Sequence, residues 1–248
     1  MSESYQALCT DFYVNQKLVL KMELPKARET VLDLFERLRR QFPAMANFRR
    51  YKDEFALESP QSEMPHRWAA MRSNVIRSGT VNPSAAADAY ALHQLLLEVA
   101  PTYLSISPLD VDCLDLLFGF DLSAGGNHDA IVHDALLGGS PLAALADVPG
   151  ASIIECQPML GLSLTGTPGV EAFIEVKTRG PHHPSRDPEA GDPISVFLTL
   201  RRTGPVAEVK ELPGILRALI ARGEDLVQQR IVPGLLVPLR EAIASGNA

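Results

Sequence analysis

A regular alternation of apolar and polar side chains marks residues 12–24. Apolar residues occupy every second position on one side, and charged residues lie on the other. The apolar side contains Phe12, Val14, Leu18, Leu20, Met22 and Leu24, and the polar side contains Lys17, Lys21 and Glu23. A period of two residues maintained over this length predicts a half-buried antiparallel strand.

A helical period follows the first strand. Pro25 suits a first helical turn, and apolar residues then recur every three or four positions until Pro43. They are Val31, Leu34, Phe35, Leu38 and Phe42, a spacing that predicts an amphipathic helix. Weaker alternation predicts one strand over 51–57 and another over 66–78. Asn82 and Pro83 are typical of a helix start and predict a second helix, which Pro101 is expected to end.

The most apolar strand is predicted over residues 109–122. Its C-terminal part is apolar on both faces, through Leu114, Leu116, Leu117, Phe118 and Phe120. Such a strand belongs in the middle of a sheet, because both of its faces must be covered. The order of elements to this point is βαββαβ, which is the ferredoxin-like arrangement.

The remaining residues predict a second group of helices and strands. A short helix is expected over 129–137, strands over 152–164, 170–178 and 194–201, and helices over 211–222 and 224–244. Pro233 and Pro238 predict a break or kink in the last helix. If the strand at 109–122 opens a second copy, the element order βαββα occurs twice. The first copy covers about 12–100, and the second covers about 109–244 with one extra strand, which predicts a tandem pseudo-repeat of element order.

The predicted fold is therefore α+β, with one or more antiparallel sheets and helices on one face. We expect an N-terminal α+β half over residues 1–105 and a C-terminal α+β half over residues 106–248. No flexible linker separates them, so close packing as one globular unit is expected. The 46% hydrophobic content supports a core of ordinary size.

Composition also bears on location. No apolar run approaches the roughly 20 residues that cross a bilayer, and the first residues lack a secretory signal pattern. A soluble protein with a cytoplasmic location and no membrane partner is therefore expected. The three cysteines, Cys9, Cys113 and Cys156, are too few and too widely spaced for a complete disulfide framework or a CxxC metal knuckle.

Charge is distributed unevenly along the chain. Residues 78–176 contain 12 acidic residues and no Lys or Arg, whereas residues 1–77 contain 13 basic and 10 acidic residues. The formal net charge of −7 argues against a dedicated nucleic-acid-binding protein, which would usually be basic. The acidic segment is expected to need a positive partner. The basic run from Arg37 to Lys52 is the candidate, within the chain or across a subunit interface.

One candidate site is a cluster of carboxylates and imidazoles. It contains Asp110, Asp112, His128, Asp129 and His133. Asp129 and His133 share one face of the predicted helix, and oxygen ligands of this kind suit Mg²⁺ or Mn²⁺. A divalent metal held there could activate water or a phosphoryl group. The alternative, which the sequence favours, is that these residues only begin a strand and stabilise a helix.

A second candidate site is basic. Arg37, Arg39, Arg40, Arg49, Arg50 and Lys52 are interleaved with Phe48 and Tyr51. Such a set could bind phosphates or single-stranded nucleic acid. A solvated face, or pairing with the chain's own acids, is the simpler interpretation.

Trp68 could line a ligand pocket, although a buried tryptophan more often belongs to the core. The polar segment 179–193, with His182 and His183, is predicted to be a mobile hairpin tip.

The common catalytic motifs are absent. The chain has no GxGxxG, GxxxxGK[ST], HExxH or GxSxG pattern and no EF-hand loop. We therefore expect a non-enzymatic binding or assembly protein that acts through a sheet surface, with itself or another protein as its partner. The alternative is a metal-dependent hydrolase or phosphoryl-transfer enzyme that uses the Asp/His cluster. The two hypotheses differ in whether those five residues converge in the fold.

Overall fold

The computed structural model describes residue 5 and residues 7–164, 169–178 and 192–245. Within these ranges there are nine strands: β1 (Asp11–Leu20), β2 (Asn47–Arg50), β3 (Phe55–Glu58), β4 (His66–Arg72), β5 (Val75–Val81), β6 (Val111–Leu122), β7 (Met159–Ser163), β8 (Val170–Lys177) and β9 (Ile194–Thr203). Residues 179–191, most of the predicted hairpin tip, lie outside the described residues.

The helices of the described chain lie between and after these strands. They are α1 (Arg28–Gln41), α2 (Ala86–Tyr103), α3 (His128–Leu136), α4 (Ala143–Ala146), α5 (Leu212–Leu226) and α6 (Val237–Ala244), with a π-helical segment (Val227–Leu236) between the last two. None of the helices in the described ranges is both long and apolar enough to span a bilayer.

All nine strands form one antiparallel sheet in the order β2-β3-β4-β5-β1-β6-β9-β8-β7. The protein therefore has the predicted α+β class with a large antiparallel sheet. β6 lies inside the sheet, between β1 and β9, in agreement with its apolar character. The pairing of β1 with β6 connects the strands of residues 1–105 to those of residues 106–248.

One face of the sheet, the core face, packs against helices. On β1 it carries Phe12, Val14, Leu18 and Leu20, all buried, because the period of two places them on the same side. The helices α2 and α5 contact the central strands. The side chain of His93 on α2 reaches the Val14 carbonyl, and Gly223 on α5 lies against Phe118. The other face is called the open face below.

The N-terminal part departs from the predicted order. The segment 66–78 is a hairpin rather than one strand, since Ser73, with φ of 46°, turns the chain between β4 and β5. The segment near 51–57 is likewise the end of a hairpin formed by β2 and β3. The order is therefore βαββββαβ, and neither the ferredoxin-like arrangement nor the tandem pseudo-repeat is confirmed.

Proline positions and one strand also differ from expectation. Pro101 lies inside α2 rather than after it. Pro233 lies within the π-helical segment, and the chain continues through it into α6 without an intervening loop. The strand predicted over 152–164 is confined to β7 (Met159–Ser163). The residues just before it form no helix or strand, and the Cys156 amide donates to the Asp129 side chain of α3.

Val176→Asp tests the core face of β8. Val176 is 1% exposed, so the substitution buries an unpaired carboxylate, and we expect a loss of roughly 3 kcal/mol or more in unfolding free energy. Urea denaturation measures this loss. Ile154→Asp is the matched control, since that side chain is 85% exposed and should cost less than about 1 kcal/mol. Equal stability of the two variants would contradict the assignment of β8.

Candidate functional site

The open face of the sheet contains a cavity of about 430 Å³. Side chains from seven adjacent strands, β4 through β7 in sheet order, line it. They include Trp68, Arg77, Asn15, Lys17, Asp115, Leu117, Thr199, Arg201, Phe173, Glu175 and Met159. In a flat sheet, seven strands would extend across roughly 29 Å. The sheet must therefore curve around this face, and the open face is concave.

Strand register arranges the lining residues in two rows across the sheet. In the charged row, Lys17 of β1 lies opposite Arg77 of β5 on one side and Asp115 of β6 on the other. Asp115 in turn lies opposite Arg201 of β9. The neighbouring row, called the aromatic row, runs through Trp68, Gly79, Asn15, Leu117, Thr199 and Phe173. The period of two places both rows on the open face.

Asp115 is the buried anion of the charged row. Its carboxylate accepts two hydrogen bonds from Arg201, at 2.7 Å from Nε and 2.9 Å from Nη2, and lies 3.1 Å from Lys17 Nζ. Burial raises the pKa of the Asp115 carboxyl, but the Arg201 hydrogen bonds and the Lys17 charge outweigh it, so the pKa lies below its ordinary value. Asp115 is therefore ionised at neutral pH and holds two cations in place.

Guanidinium groups stack on the two aromatic side chains of the cavity. The Arg77 guanidinium lies 5.6 Å from the Trp68 ring centroid and pairs with Glu54. The Arg201 guanidinium lies 5.5 Å from the Phe173 ring centroid. Such cation–π contacts are each worth about 0.5–1 kcal/mol at exposed sites. Stacking and ion pairing together restrict these side chains before any ligand binds.

Two glycines on the open face give room to aromatic rings. A Cβ atom at Gly79 would overlap the indole of Trp68, its cross-strand neighbour. A Cβ at Gly119 would overlap the phenol ring of Tyr13 in the same way. Each ring therefore occupies the space into which a side chain on the neighbouring strand would otherwise project. These glycines set the depth of the open face.

A buried polar network lies on the core face beneath the cavity. His93 Nε2 donates to the Val14 carbonyl at 3.2 Å, and its Nδ1 lies 2.7 Å from Ser78 Oγ, which also contacts Gln16 Oε1 at 3.1 Å. Burial lowers the pKa of His93 to about 4, although the hydrogen bond to Val14 opposes this change. His93 is therefore neutral at pH 7. It is fully buried, so its role is to join α2 to β1 and β5.

The five residues of the predicted metal site have separate roles. Asp110 caps the short turn at Ser107 by accepting from its amide, and Asp112 is exposed. His128 contacts the Ala124 carbonyl, and His133 pairs with Asp134. Asp129 is buried and accepts from Cys156 N and Thr178 Oγ1, both at 2.7 Å.

These contacts leave the metal hypothesis without support from ligand geometry. Among the described residues, which include all five, no three His, Cys, Asp or Glu side chains form a group that could hold a metal ion. The predicted divalent-metal site, and the hydrolase or phosphoryl-transfer activity that depends on it, stay predictions.

The six residues of the predicted anion site do not share one face. Arg49 lies on the open face and pairs with Glu58 at 3.5 Å, whereas Arg50 lies on the opposite face, over the Phe55 ring. Arg39 and Arg40 of α1 both pair with Glu36. Arg37 is half-buried on α1, and Lys52 is exposed in the turn between β2 and β3. The anion site they were proposed to form stays a prediction.

The acidic segment finds its positive partners elsewhere. Asp115 pairs with Lys17 and Arg201, and Glu175 pairs with Lys177 at 2.6 Å. The run from Arg37 to Lys52 provides neither of these partners. Its described ion pairs are with acids of the N-terminal segment itself, Glu36 and Glu58.

The cysteine thiols are poor nucleophiles. Burial raises the pKa of Cys9 to about 12 and that of Cys113 to about 11, and neighbouring aspartates add to both effects. Burial likewise raises the pKa of Cys156. A thiol of this kind is protonated at neutral pH, so these three residues serve as buried side chains.

Sequence reasoning missed most of the cavity. The alternation of β1 predicts that Lys17 lies on the polar side of its strand, but no local pattern in the sequence marks Arg77 or Arg201. Trp68 was considered for a pocket, and its partial exposure on the open face would have supported that interpretation. Comparison with protein-family models, curated proteins and solved structures found no significant match to this chain.

His93→Gln tests the buried network through its pH dependence. The pKa of His93 is about 4 in the folded chain and near 6.5 in the unfolded chain. Between pH 4 and pH 6.5 His93 is therefore protonated in the unfolded state but neutral in the folded state. Its contribution to stability is complete above pH 6.5 and decreases as the pH falls towards 4, by about 3 kcal/mol. Urea unfolding from pH 7 to 4 should show a shallower loss in the variant than in the parent protein. Identical slopes would contradict this role.

Proposed function

We propose that this chain is a non-enzymatic binding protein whose ligand occupies the cavity on the open face. The observation that carries the proposal is the concave cavity of about 430 Å³, in which Asp115, Lys17 and Arg201 form a connected charged group. Small-molecule sites in proteins are typically concave, with volumes of about 300–1,000 Å³ and a few fixed polar groups.

The arrangement of the lining side chains supports binding rather than chemistry. The charged groups of the cavity pair with neighbouring charges. Among the described lining residues, Asp115 has the only buried carboxylate, and two cations hold it ionised. A general acid or base would need a pKa near the working pH, and that of Asp115 is moved away from it. Residues restrained before binding lose less conformational entropy on capturing a ligand.

Thr199→Phe tests the site by filling the cavity. Thr199 lies between Leu117 and Phe173 in the aromatic row, and phenylalanine is compatible with its strand position. Small molecules that raise the melting temperature of the parent protein should lose most of this effect in the variant. Thr203→Phe is the matched control, since Thr203 is on the same strand and face but does not line the cavity. Compounds that stabilise the parent and Thr199→Phe equally would exclude this site.

We further propose that two copies of the chain associate through the edge strand β7. This strand ends the sheet, and no described strand pairs with its outer side. All five of its residues are exposed, and they include Met159, Leu160 and Leu162 but no charged residue or proline. The opposite edge, β2, carries Arg49 and Arg50, which hinder edge pairing. Antiparallel pairing of β7 with its own copy would form a closed two-fold dimer.

Leu160→Lys tests this dimer by placing a charge on the edge. Sedimentation velocity at micromolar concentration should show a dimer for the parent protein and a monomer for the variant, because each copy would then place a charged lysine on the edge strand that has to pair. Leu109→Lys is the matched control, since Leu109 is 76% exposed and lies outside β7. A monomeric parent protein, or a variant that remains dimeric, would refute the proposed interface.

A further inference from the structure

We infer that the open-face cavity selects an organic anion with an apolar body, an inference that rests on the proposed binding function. The negative group would contact Lys17 and Arg201, and the apolar body would lie over Leu117 towards Trp68 and Phe173. The shared chemistry is an oxyanion, such as a carboxylate, sulfonate or phosphate, attached to a ring or chain.

The charge balance of the cavity supports an anionic ligand. Arg77 is neutralised by Glu54, and Glu175 is neutralised by Lys177. The remaining charged lining residues are two cations, Lys17 and Arg201, which share the single carboxylate of Asp115. Glu171 lies opposite Arg201 in strand register and its charge acts on Arg201, although none of the described ion pairs joins these two residues. Within ion-pair distance, two cations therefore share one carboxylate at the centre of the cavity.

Unused hydrogen-bond donors lie at the same position. Arg201 donates to Asp115 through Nε and Nη2, and a guanidinium has five N–H groups, so three remain. Lys17 has one close contact, with Asp115, out of three N–H groups, and its side chain is 41% exposed. Charge-assisted hydrogen bonds to an oxyanion are stronger than neutral ones. Lys17 and Arg201 can therefore bind an anion while both keep their contacts with Asp115.

The apolar side chains of the cavity define the rest of the ligand. Leu117 lies between Asn15 and Thr199 in the aromatic row, and Met159 and Phe173 lie towards one side of the cavity. Trp68 and Phe173 each have a guanidinium over the ring already. A second cation would be repelled by these arginines. An aromatic or aliphatic body with a negative group fits both features.

A pair of matched fluorescent probes tests this inference. The anionic probe is 1-anilinonaphthalene-8-sulfonate, and N-phenyl-1-naphthylamine is the same molecule without the sulfonate. Trp68 is the only tryptophan of the chain, so quenching of its emission reports binding near the cavity. We expect the parent protein to bind the anionic probe about tenfold more tightly than the neutral probe, the gain typical of one charged hydrogen bond.

Lys17→Met is the decisive variant, because it removes the charge but keeps an unbranched apolar side chain, and Arg201 continues to pair with Asp115. Its affinity for the anionic probe should fall about tenfold, with little change for the neutral probe. Lys210→Met is the matched control, since Lys210 is exposed and pairs with Glu208, and neither residue lines the cavity, so this variant should bind both probes like the parent protein. A parent-like melting temperature confirms folding of each variant.

The outcomes separate this inference from the proposed function. If both probes quench Trp68 with equal affinity, or if Lys17→Met binds the anionic probe as tightly as the parent protein, selection of anions is refuted and binding at the open face stands. If neither probe changes Trp68 emission in the parent protein, and no compound depends on Thr199, then the binding function fails as well.

Discussion

The pairing of β1 with β6 is the interaction on which the rest of the sheet depends. β5 and the strands beyond it attach to the outer side of β1, and β9, β8 and β7 attach to the outer side of β6. On the core face, this pair brings Val14 and Leu18 beside Phe118 and Leu114, all almost completely buried. On the open face, it brings Lys17 beside Asp115. One register therefore determines both the hydrophobic core and the charged row, because a shift of one residue would exchange the two faces.

Much of the fold could be predicted from sequence, because a strand that is buried on one face alternates apolar and polar residues with a period of two. The alternation in β8 and the two-sided apolar character of β6 each indicated a strand in the correct place, whereas β1 ends at Leu20, before the predicted positions Met22 and Leu24. The hairpin between β4 and β5 was not predictable in this way, since Ser73 and Asn74 replace the glycine that usually marks such a turn. A turn formed by a non-glycine residue with positive φ leaves only a weak signal in one sequence.

The cavity could not be predicted for a different reason. Asp115 and Arg201 are separated by 86 residues along the chain and meet only because β6 and β9 are neighbours in the sheet. The excess of acids over residues 78–176 predicts a need for positive partners, and Asp115 has two of them in Lys17 and Arg201. It could not indicate which ones, since Lys17 and the pair Arg201–Arg202 lie in strands far from the segment, whereas Arg37 to Lys52 form a visible run. Long-range strand pairing, rather than local charge density, selects the partners.

The glycines of the open face have a consequence for how such a protein would diverge. At Gly79 and Gly119, the gain of one methyl group would displace the aromatic ring of a neighbouring strand. Neither glycine lines the cavity, but Gly79 determines where the lining ring of Trp68 lies, and Gly119 does the same for the Tyr13 ring on the same face. The shape of the cavity can therefore change in descendants of this chain while every residue that lines it stays the same. A change in the proposed ligand preference could then arise at Gly79, a position that has no side chain.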